Sequence, residues 1–392
     1  MRKKAIDNLT SSGITVAVVL ANFLYLLFKI MPTQNKVIFM SRISDTIPLD
    51  FELIIDSLKE KCPTLKTVVL CKPLDYGLMA KVRYIPHIIL QMYNIATSKV
   101  AIIDSYCIPI CILHHKKLLK VIQLWHGLGS FKKFGHSILD KRESITRYVA
   151  LDSKELAILM HMHENYNLII ASNKLSAIDF AEAFNYDPSI VKVISLPRVD
   201  FLTDEAKTNK LRGQILESHT ELSSKKNILY APTFRRSEYD FNQIQKLVDV
   251  IDFDHFNLII KFHLLTKRDV DDNRITRVND YTAMQLLTIS DYVITDYSAI
   301  VYEAYLLNKP VFFYQFDLEK YEADRGFYTP ISAFPAKSYN AASSLIDDLE
   351  NDKYDYRAIK PFIDEQVTYK HGNADKIANI IIDYAEVVAE EK

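Results

Sequence analysis

The sequence predicts an α/β protein made of two doubly wound domains. Short apolar, strand-like runs alternate with longer stretches of helical character, which is typical of a parallel sheet covered by helices. A polar stretch, Asp204–Lys226, interrupts this alternation, and the same pattern then restarts. The 392 residues suffice for two buried cores. We therefore divide the chain into residues 1–32, 33–215 and 216–392, and expect a ligand cleft at the carboxyl ends of both sheets.

The first segment predicts a membrane-associated helix. Three basic residues at positions 2–4 precede the apolar run Ile14–Phe28. This run is shorter than the roughly 20 residues that span a bilayer, and Asn22 lies in its middle. We expect the helix to lie in or on the cytoplasmic leaflet; a helix packed on the first domain is the alternative.

Strand-like runs and helical stretches then follow in order. The predicted strands are Val37–Met40, Thr67–Leu70, Val100–Ile103, Val121–Trp125, Leu168–Ala171, Val191–Ser195, Ile228–Ala231, Asn257–Phe262, Tyr292–Thr295 and Val311–Tyr314. The predicted helices include Leu49–Lys61, Ile178–Phe184, Tyr281–Ile289, Ile300–Leu307 and the C-terminal Ala374–Ala389.

Composition argues against several classes of function. A formal net charge of −1 does not suit a protein that coats nucleic acid. Only eight glycines are present, and neither a GxGxxG nor a GxxxxGK[ST] motif occurs, so dehydrogenase and P-loop functions lose their usual support. The four cysteines lack the spacing of a zinc site and are expected to be buried, reduced thiols. No metal and no cofactor are predicted.

The first candidate cluster follows a predicted strand and reads QLWHGLGSFKKFG. His126 lies there among glycines, where its imidazole can approach a substrate and accept a proton near neutral pH. Lys132 and Lys133 add positive charge suited to a phosphate. A histidine satisfied by the core in a tight turn is the structural alternative.

Two further clusters follow strands in the second half. In ILYAPTFRR, Thr233 and Arg235 offer hydroxyl and guanidinium donors for phosphate oxygens, although the adjacent Arg236 fits a solvated surface charge equally well. In IIKFH, Lys261 and His263 end a strand.

The fourth cluster is ITDYSAIVYE. A strand runs into Asp296 and Ser298, and a helix is predicted to begin near Ser298, where backbone N–H groups favour an anion. Glu303 follows five residues later, within reach of ribose hydroxyls. Each cluster alone is weak evidence. Four clusters that all follow predicted strands are stronger evidence that their side chains belong to one functional site.

Together these motifs resemble the CDP-glycerol glycerophosphotransferases of teichoic acid synthesis. WHG with a following KKFG, APTFR, KxH, ITDYS with an acid five residues later, and KPVFFYQFDLEKY…RGFY occur in the family's order between about Lys36 and Tyr328. The resemblance implies a GT-B-like fold of two Rossmann-like domains facing a cleft. It also implies no essential metal and peripheral attachment to the cytoplasmic face of the cell membrane.

The resemblance also implies roles for individual residues. His126 corresponds to the general base for the acceptor hydroxyl, and His263 to the histidine that holds the donor phosphates. Thr233, Ser298 and Lys261 correspond to donor-side residues, Arg235 and Arg325 to charge partners, and Glu303 to an acid near the nucleotide.

The chain departs from the family pattern at three positions. Ala299 stands where a second serine is common, Leu264 where proline is common, and Leu128 where threonine is common. The loss of two hydroxyls bears on the identity of the donor more than on the class of reaction.

The function that the resemblance implies is transfer of glycerol phosphate from CDP-glycerol to a disaccharide or growing chain on undecaprenyl pyrophosphate, with release of CMP. The compact length favours a primase. A ribitol-phosphate transferase that uses CDP-ribitol, or a capsule or teichoic acid polymerase, is an alternative within the family. A nucleotide-sugar GT-B glycosyltransferase and a non-catalytic nucleotide-binding module are more distant alternatives.

Overall fold

Two compact units make up the chain. The structure is a computed structural model that describes residues 2–74, 78–141, 153–235, 237–263, 266 and 268–390. The first unit comprises residues 1–126, 133–198 and 372–392, and the second comprises residues 127–132 and 199–371.

Each unit is built on a parallel sheet. In chain order the strands are β1 (Lys36–Ser41), β2 (Lys66–Cys71), β3 (Val100–Ile103), β4 (Lys120–Gln123), β5 (Leu168–Ala171), β6 (Val191–Val193), β7 (Lys226–Tyr230), β8 (Phe256–Ile260), β9 (Tyr292–Thr295), β10 (Val311–Tyr314) and β11 (Ser338–Tyr339). The first sheet has the order β2-β1-β3-β4-β5-β6, and the second has the order β11-β10-β9-β7-β8. Both are doubly wound orders, because the chain starts near one edge and reverses direction once.

Helices connect the strands. They are α1 (Arg2–Lys29), α2 (Leu49–Lys61), α3 (Leu78–Thr97), α4 (Ile108–Ile112), α5 (Ser153–Leu159), α6 (Lys174–Phe184), α7 (Arg198–Leu202), α8 (Glu205–Ser218), α9 (Glu238–Asp249), α10 (Ala283–Leu286), α11 (Ile300–Leu306), α12 (Leu318–Asp324), α13 (Ala342–Glu350), α14 (Ile359–Gln366) and α15 (Asn373–Glu390).

The C-terminal helix belongs to the first unit, which corrects the sequence-based assignment of this helix to the second domain. Helix α15 packs against α2, and the Ser57 hydroxyl donates to Asp375 at 2.5 Å. The Asn373 side chain accepts a hydrogen bond from the buried backbone N–H of Ser195 at 3.2 Å. These contacts bury the apolar face of α15, including Ile377 and Ile381, in the first core.

The short segment 127–132 belongs to the second unit although it lies within the first half of the chain. Its backbone pairs with residues near 328, since the Phe131 carbonyl accepts from the backbone N–H of Tyr328 at 2.9 Å. The Phe131 ring is buried and packs on Phe313 and Phe334. Aromatic burial therefore anchors this segment in the second core.

The strand and helix predictions are largely confirmed. Strands β3, β5, β9 and β10 and helix α2 have the predicted bounds, whereas β4 ends at Gln123 rather than at Trp125. The predicted helix Tyr281–Ile289 is only the four-residue α10. Within the polar stretch, α8 forms although it buries only Leu211 and Ile215, because the Asp204 side chain caps its first turn.

Close packing at Gly129 gives a test of how firmly segment 127–132 is held. A Cβ at this position would lie 2.5 Å from the ring of Tyr302, which is fully buried. We expect Gly129→Ala to lower the free energy of unfolding by about 1–3 kcal/mol, measured by urea denaturation.

Gly213→Ala is the matched control. Gly213 lies in α8 with nothing within 4 Å of the added Cβ, so helix propensity should raise stability by about 0.5–1 kcal/mol. Equal effects of the two substitutions would contradict the packing of Gly129 on Tyr302.

Candidate active site

Strand order locates the candidate site in each unit. In doubly wound sheets, ligands bind outside the carboxyl ends of the strands where the order reverses. That point lies between β7 and β9 in the second sheet and between β1 and β3 in the first. The predicted clusters at Thr233 and Asp296 follow β7 and β9 directly.

A buried ion network organises the switch point of the second sheet. The Arg235 guanidinium, only 4% exposed, donates from Nε and from one terminal nitrogen to Asp296 at 3.0 and 2.8 Å. Its other terminal nitrogen donates to Asp317 at 2.5 Å. Arg235 thus joins the loops after β7, β9 and β10. The sequence predicts that Arg235 binds donor phosphates, whereas in the structure its guanidinium binds two carboxylates.

Asp296 fixes the backbone on both sides of the switch point. One carboxylate oxygen accepts from the backbone N–H of Thr233 at 2.8 Å and from that of Tyr297 at 2.5 Å. Its backbone carbonyl accepts from the Gln315 amide at 2.9 Å. The positions of the Thr233 and Tyr297 backbones therefore depend on a side chain that is fully buried.

Basic and polar side chains gather beside the Arg235–Asp296–Asp317 network; we call Lys132, Thr233, His263 and Arg325 the cationic group. Lys132, carried in by segment 127–132, donates from Nζ to the Thr233 hydroxyl at 2.8 Å. Desolvation and the positive charges of Lys132 and Arg325 lower the pKa of His263 to about 4, although the residue is exposed to solvent. The structure thus brings Lys132, Thr233, His263 and Arg325 to one edge of the second sheet.

Three other predicted donor-side residues are placed differently. Lys261 donates from Nζ to the Val278 carbonyl at 2.8 Å, and burial lowers its pKa. Glu303 is 4% exposed inside α11, and Ser298 lies half-buried just before this seven-residue helix. Arg236 lies outside the described residues.

His126 lies in the first unit, at the end of a strained turn. Trp125 has φ of +60°, an unusual value for a bulky residue, and its ring stacks on Phe134 at 4.6 Å. The following imidazole is exposed, and its Nδ1 lies 3.1 Å from the backbone carbonyl oxygen of Asp104. Lys133 also belongs to this unit, unlike its neighbour Lys132.

Asp104 is a candidate site residue that the sequence motifs did not indicate. It follows β3 at the switch point of the first sheet and is 5% exposed. Burial, with a smaller contribution from Asp50, raises the pKa of Asp104 to about 6, and the Ser105 hydroxyl donates to it at 2.9 Å. The signal that could have found it is the strand-end position after Val100–Ile103.

No metal centre is found in the part of the chain that the structure describes, where no group of three His, Cys, Asp or Glu side chains could hold an ion. The four cysteines are unpaired; Cys107 and Cys111 are buried, and burial raises the pKa of Cys107 to about 11. Cys62 and Cys71 are half-buried rather than buried as expected.

The chain matches one protein family over most of its length. Residues 23–383 match the family described as CDP-Glycerol:Poly(glycerophosphate) glycerophosphotransferase. The chain is 31% identical to the teichoic acid ribitol-phosphate primase of Bacillus spizizenii, covering 91% of this chain and 93% of that one. It is 29% identical to the teichoic acid glycerol-phosphate primase of Bacillus subtilis, covering 74% of each.

The fold is also similar to solved structures. A structure of the wall teichoic acid polymerase TagF superposes with a TM-score of 0.75 at 20% identity, covering 98% of this chain and 99% of that one. The likeness confirms the predicted GT-B-like fold with two parallel α/β sheets. This chain spans a smaller share, 55% and 61%, of two ribitol-phosphate polymerases from B. spizizenii and Staphylococcus aureus.

The buried network predicts a large stability effect at Arg235. Removing its guanidinium leaves Asp296 and Asp317 without their cation in a buried setting. We expect Arg235→Leu to lower the free energy of unfolding by about 3–5 kcal/mol in urea.

Arg274→Leu serves as the comparison, because Arg274 pairs with Asp249 and Asp272 at the surface. That variant should lose less than about 1 kcal/mol. A loss at Arg235 as small as that at Arg274 would show that the buried network does not hold the three loops.

Proposed function

The chain belongs to the CDP-glycerol:poly(glycerophosphate) glycerophosphotransferase family, and from this we propose that it transfers a polyol phosphate from a CDP-polyol to a lipid-linked acceptor. The observation that carries the proposal is the cationic group at the switch point of the second sheet. Lys132, Thr233, His263 and Arg325 lie where a doubly wound sheet binds a nucleotide diphosphate.

The donor diphosphate would be held by charge and hydrogen bonds. Lys132 and Arg325 supply positive charge, and the Thr233 hydroxyl can donate to a phosphate oxygen while it accepts from Lys132. Desolvation and the nearby cations lower the pKa of His263, which favours its neutral form at pH 7. An approaching phosphate raises that pKa again, so that His263 can donate to the diphosphate as charge develops on it.

His126 suits the role of general base because its ring orientation is defined. A backbone carbonyl only accepts hydrogen bonds, so in the neutral imidazole the Nδ1 facing Asp104 carries the proton and Nε2 carries the lone pair. We propose that Nε2 takes the proton of the acceptor hydroxyl. The hydroxyl oxygen bonds to the β-phosphorus, the bond from that phosphorus to the bridging oxygen breaks, and CMP leaves.

The substrates proposed are CDP-glycerol and a disaccharide on undecaprenyl pyrophosphate, in a single-addition reaction of wall teichoic acid synthesis. CDP-ribitol is the second candidate donor, and the observation that favours it is the 31% identity to a ribitol-phosphate primase. An acceptor confined to the membrane requires the enzyme to work at the membrane surface.

Helix α1 supports peripheral attachment to the cytoplasmic face of the membrane. Its segment Ser11–Lys29 has mean hydropathy 1.9 and is long and apolar enough to cross a membrane by length and composition. Asn22 near its middle instead bonds to the first unit, donating to the Ile112 carbonyl at 2.9 Å and accepting from the His114 N–H at 2.8 Å. A helix fixed to its own unit in this way fits an interfacial position, with the opposite apolar face towards lipid.

CMP release tests the proposed reaction. We expect release from CDP-glycerol or CDP-ribitol only when a lipid-linked disaccharide acceptor is present, and product length distinguishes single addition from polymerisation. His126→Ala should lower kcat by about 10²- to 10⁴-fold, since it removes the base.

His255→Ala is the control, because His255 is an exposed histidine paired with Asp252. It should keep wild-type turnover. Absence of CMP release from both donors in the wild type would refute the proposed reaction, and transfer from a UDP-sugar would replace it with glycosyl transfer.

Vesicle sedimentation tests the membrane role of α1. Leu20 and Phe23 are exposed on α1, at 61% and 69%. We expect Leu20→Glu/Phe23→Glu to abolish recovery with vesicles of 70% phosphatidylcholine and 30% phosphatidylglycerol, at roughly 0.1 M salt, because carboxylates cannot enter the acyl region.

A matched double variant uses two exposed apolar residues on α6 of the same unit. Leu175→Glu/Ile178→Glu adds the same charge away from α1 and should sediment like the wild type. If both double variants bind vesicles equally well, α1 is not the attachment site.

A further inference from the structure

Two cations lie side by side at the carboxyl edge of the first sheet. In the parallel pair β1 and β2, Ser41 is the partner of Cys71, and the Lys72 N–H donates to the Ser41 carbonyl at 3.0 Å. Arg42 and Lys72 are therefore neighbours just beyond the ends of adjacent strands. Neither residue belongs to the motifs that carry the family resemblance.

Aromatic rings hold both side chains in place. The Arg42 guanidinium lies 5.1 Å from the centre of the Tyr106 ring, and the Lys72 ammonium lies 5.7 Å from that of Tyr84. The Tyr84 hydroxyl also donates to the Lys72 carbonyl at 3.1 Å, which ties α3 to this edge. The rings orient the cations without neutralising them.

No carboxylate among the described residues forms an ion pair with Arg42 or Lys72. Arg198 in the same unit shows the contrast, since its guanidinium binds the Asp50 carboxylate through two nitrogens. The titratable groups on which the charge of Arg42 acts are neutral: Tyr84, Tyr106, Cys107, Cys111 and His163, whose pKa burial lowers to about 3. The Asp104 carboxyl lies at the same edge but accepts from Ser105 and forms an ion pair with neither cation.

The charge at Lys72 also acts on its neighbours. Burial and the positive charge of Lys72 lower the pKa of His87 on α3. Among the described residues neither cation has a carboxylate in ion-pair contact, so the repulsion between two like charges at neighbouring strand ends favours an anion that both can bind. A diphosphate carries enough charge and enough oxygens to accept from a guanidinium and an ammonium together.

This edge also carries the proposed base. Strand β3 pairs with β1 on the side opposite β2, and Asp104, which follows β3, holds His126 through its carbonyl. The cations after β1 and β2 thus lie along the same sheet edge as the catalytic imidazole.

The edge adjoins an apolar surface. Helix α3, to which Tyr84 belongs, exposes Met79, Val82, Ile85 and Ile89, and it packs against α1. Exposed apolar side chains beside paired cations are the combination that suits the headgroup of a membrane-bound lipid.

We propose that Arg42 and Lys72 form a subsite that binds the diphosphate of a lipid-linked acceptor and so presents the attached sugar hydroxyl to His126. The proposal rests on the proposed function for the identity of the acceptor. Free anionic lipid offers the same phosphate chemistry, and the experiment must separate the two.

The test compares acceptors with and without a diphosphate. The Arg42→Gln/Lys72→Gln variant is assayed in detergent micelles with a saturating CDP-polyol. The acceptors are a disaccharide on a polyprenyl diphosphate and the same disaccharide as an alkyl glycoside. We expect KM for the diphosphate acceptor to rise about 10-fold or more, while kcat and KM for the donor stay within about 2-fold. With the glycoside, variant and wild type should behave alike.

Lys59→Gln/Lys192→Gln removes two exposed charges of the same unit and should leave every constant unchanged. An unchanged KM for the diphosphate acceptor would overturn the proposal, as would an equal rise for both acceptors. Loss of vesicle sedimentation with unchanged micellar KM would assign the two cations to anionic lipid, which also overturns it.

Calorimetric binding of inorganic pyrophosphate tests the Arg42 and Lys72 subsite without requiring turnover. Its result therefore does not depend on whether the proposed reaction is correct. A Lys132→Gln/His263→Ala background removes one cation and one imidazole of the proposed donor site in the second unit. In that background, Arg42→Gln/Lys72→Gln should weaken pyrophosphate binding about 10-fold or more. Unchanged pyrophosphate affinity would refute the subsite, even if no donor supports CMP release.

Discussion

The buried contact of Arg235 with Asp296 and Asp317 is the constraint on which the second unit depends. Such an ion network adds little net stability over apolar packing, because its charges lose their water. Its consequence is geometric: three loops from three strands are tied to one guanidinium. Asp296 then sets the Thr233 and Tyr297 backbones, and Thr233 in turn meets Lys132. The position of the cationic group therefore follows from a buried network.

Segment 127–132 belongs to the second unit although both of its neighbours in sequence belong to the first. His126 and Lys133 belong to the first unit, whereas the six residues between them pack in the second. Gly129 permits close approach to Tyr302, and Phe131 supplies the apolar anchor. Lys132 and Lys133 look equivalent in sequence. In the structure they belong to different units, and Lys132 contacts Thr233.

Much of the fold and part of the site could be predicted from the sequence. Parallel strands place their carboxyl ends at one edge, so a polar residue just after an apolar run is a candidate in advance, as Thr233, His263 and Asp296 were. The same rule applied to Val100–Ile103 indicates Asp104, and applied to Val37–Met40 it indicates Ser41 and the adjacent Arg42. Neither Asp104 nor Arg42 lies beside glycines or in a motif that resembles a known family, so motif patterns do not indicate them.

The sequence by itself determined the alternation of strands and helices, the polar edge of each sheet and the membership of a family, because periodicity and motif order are local properties of the chain. The tertiary structure alone decided which charged side chains can bind a ligand and which are held in ion pairs. Arg235, Arg42 and Arg198 are the same residue type in similar strand-end positions, yet Arg235 and Arg198 meet carboxylates from distant segments while Arg42 meets a ring. Long-range pairing decides whether a guanidinium supports the fold or can bind a ligand, since the free energy of a charge depends on its partners and its burial.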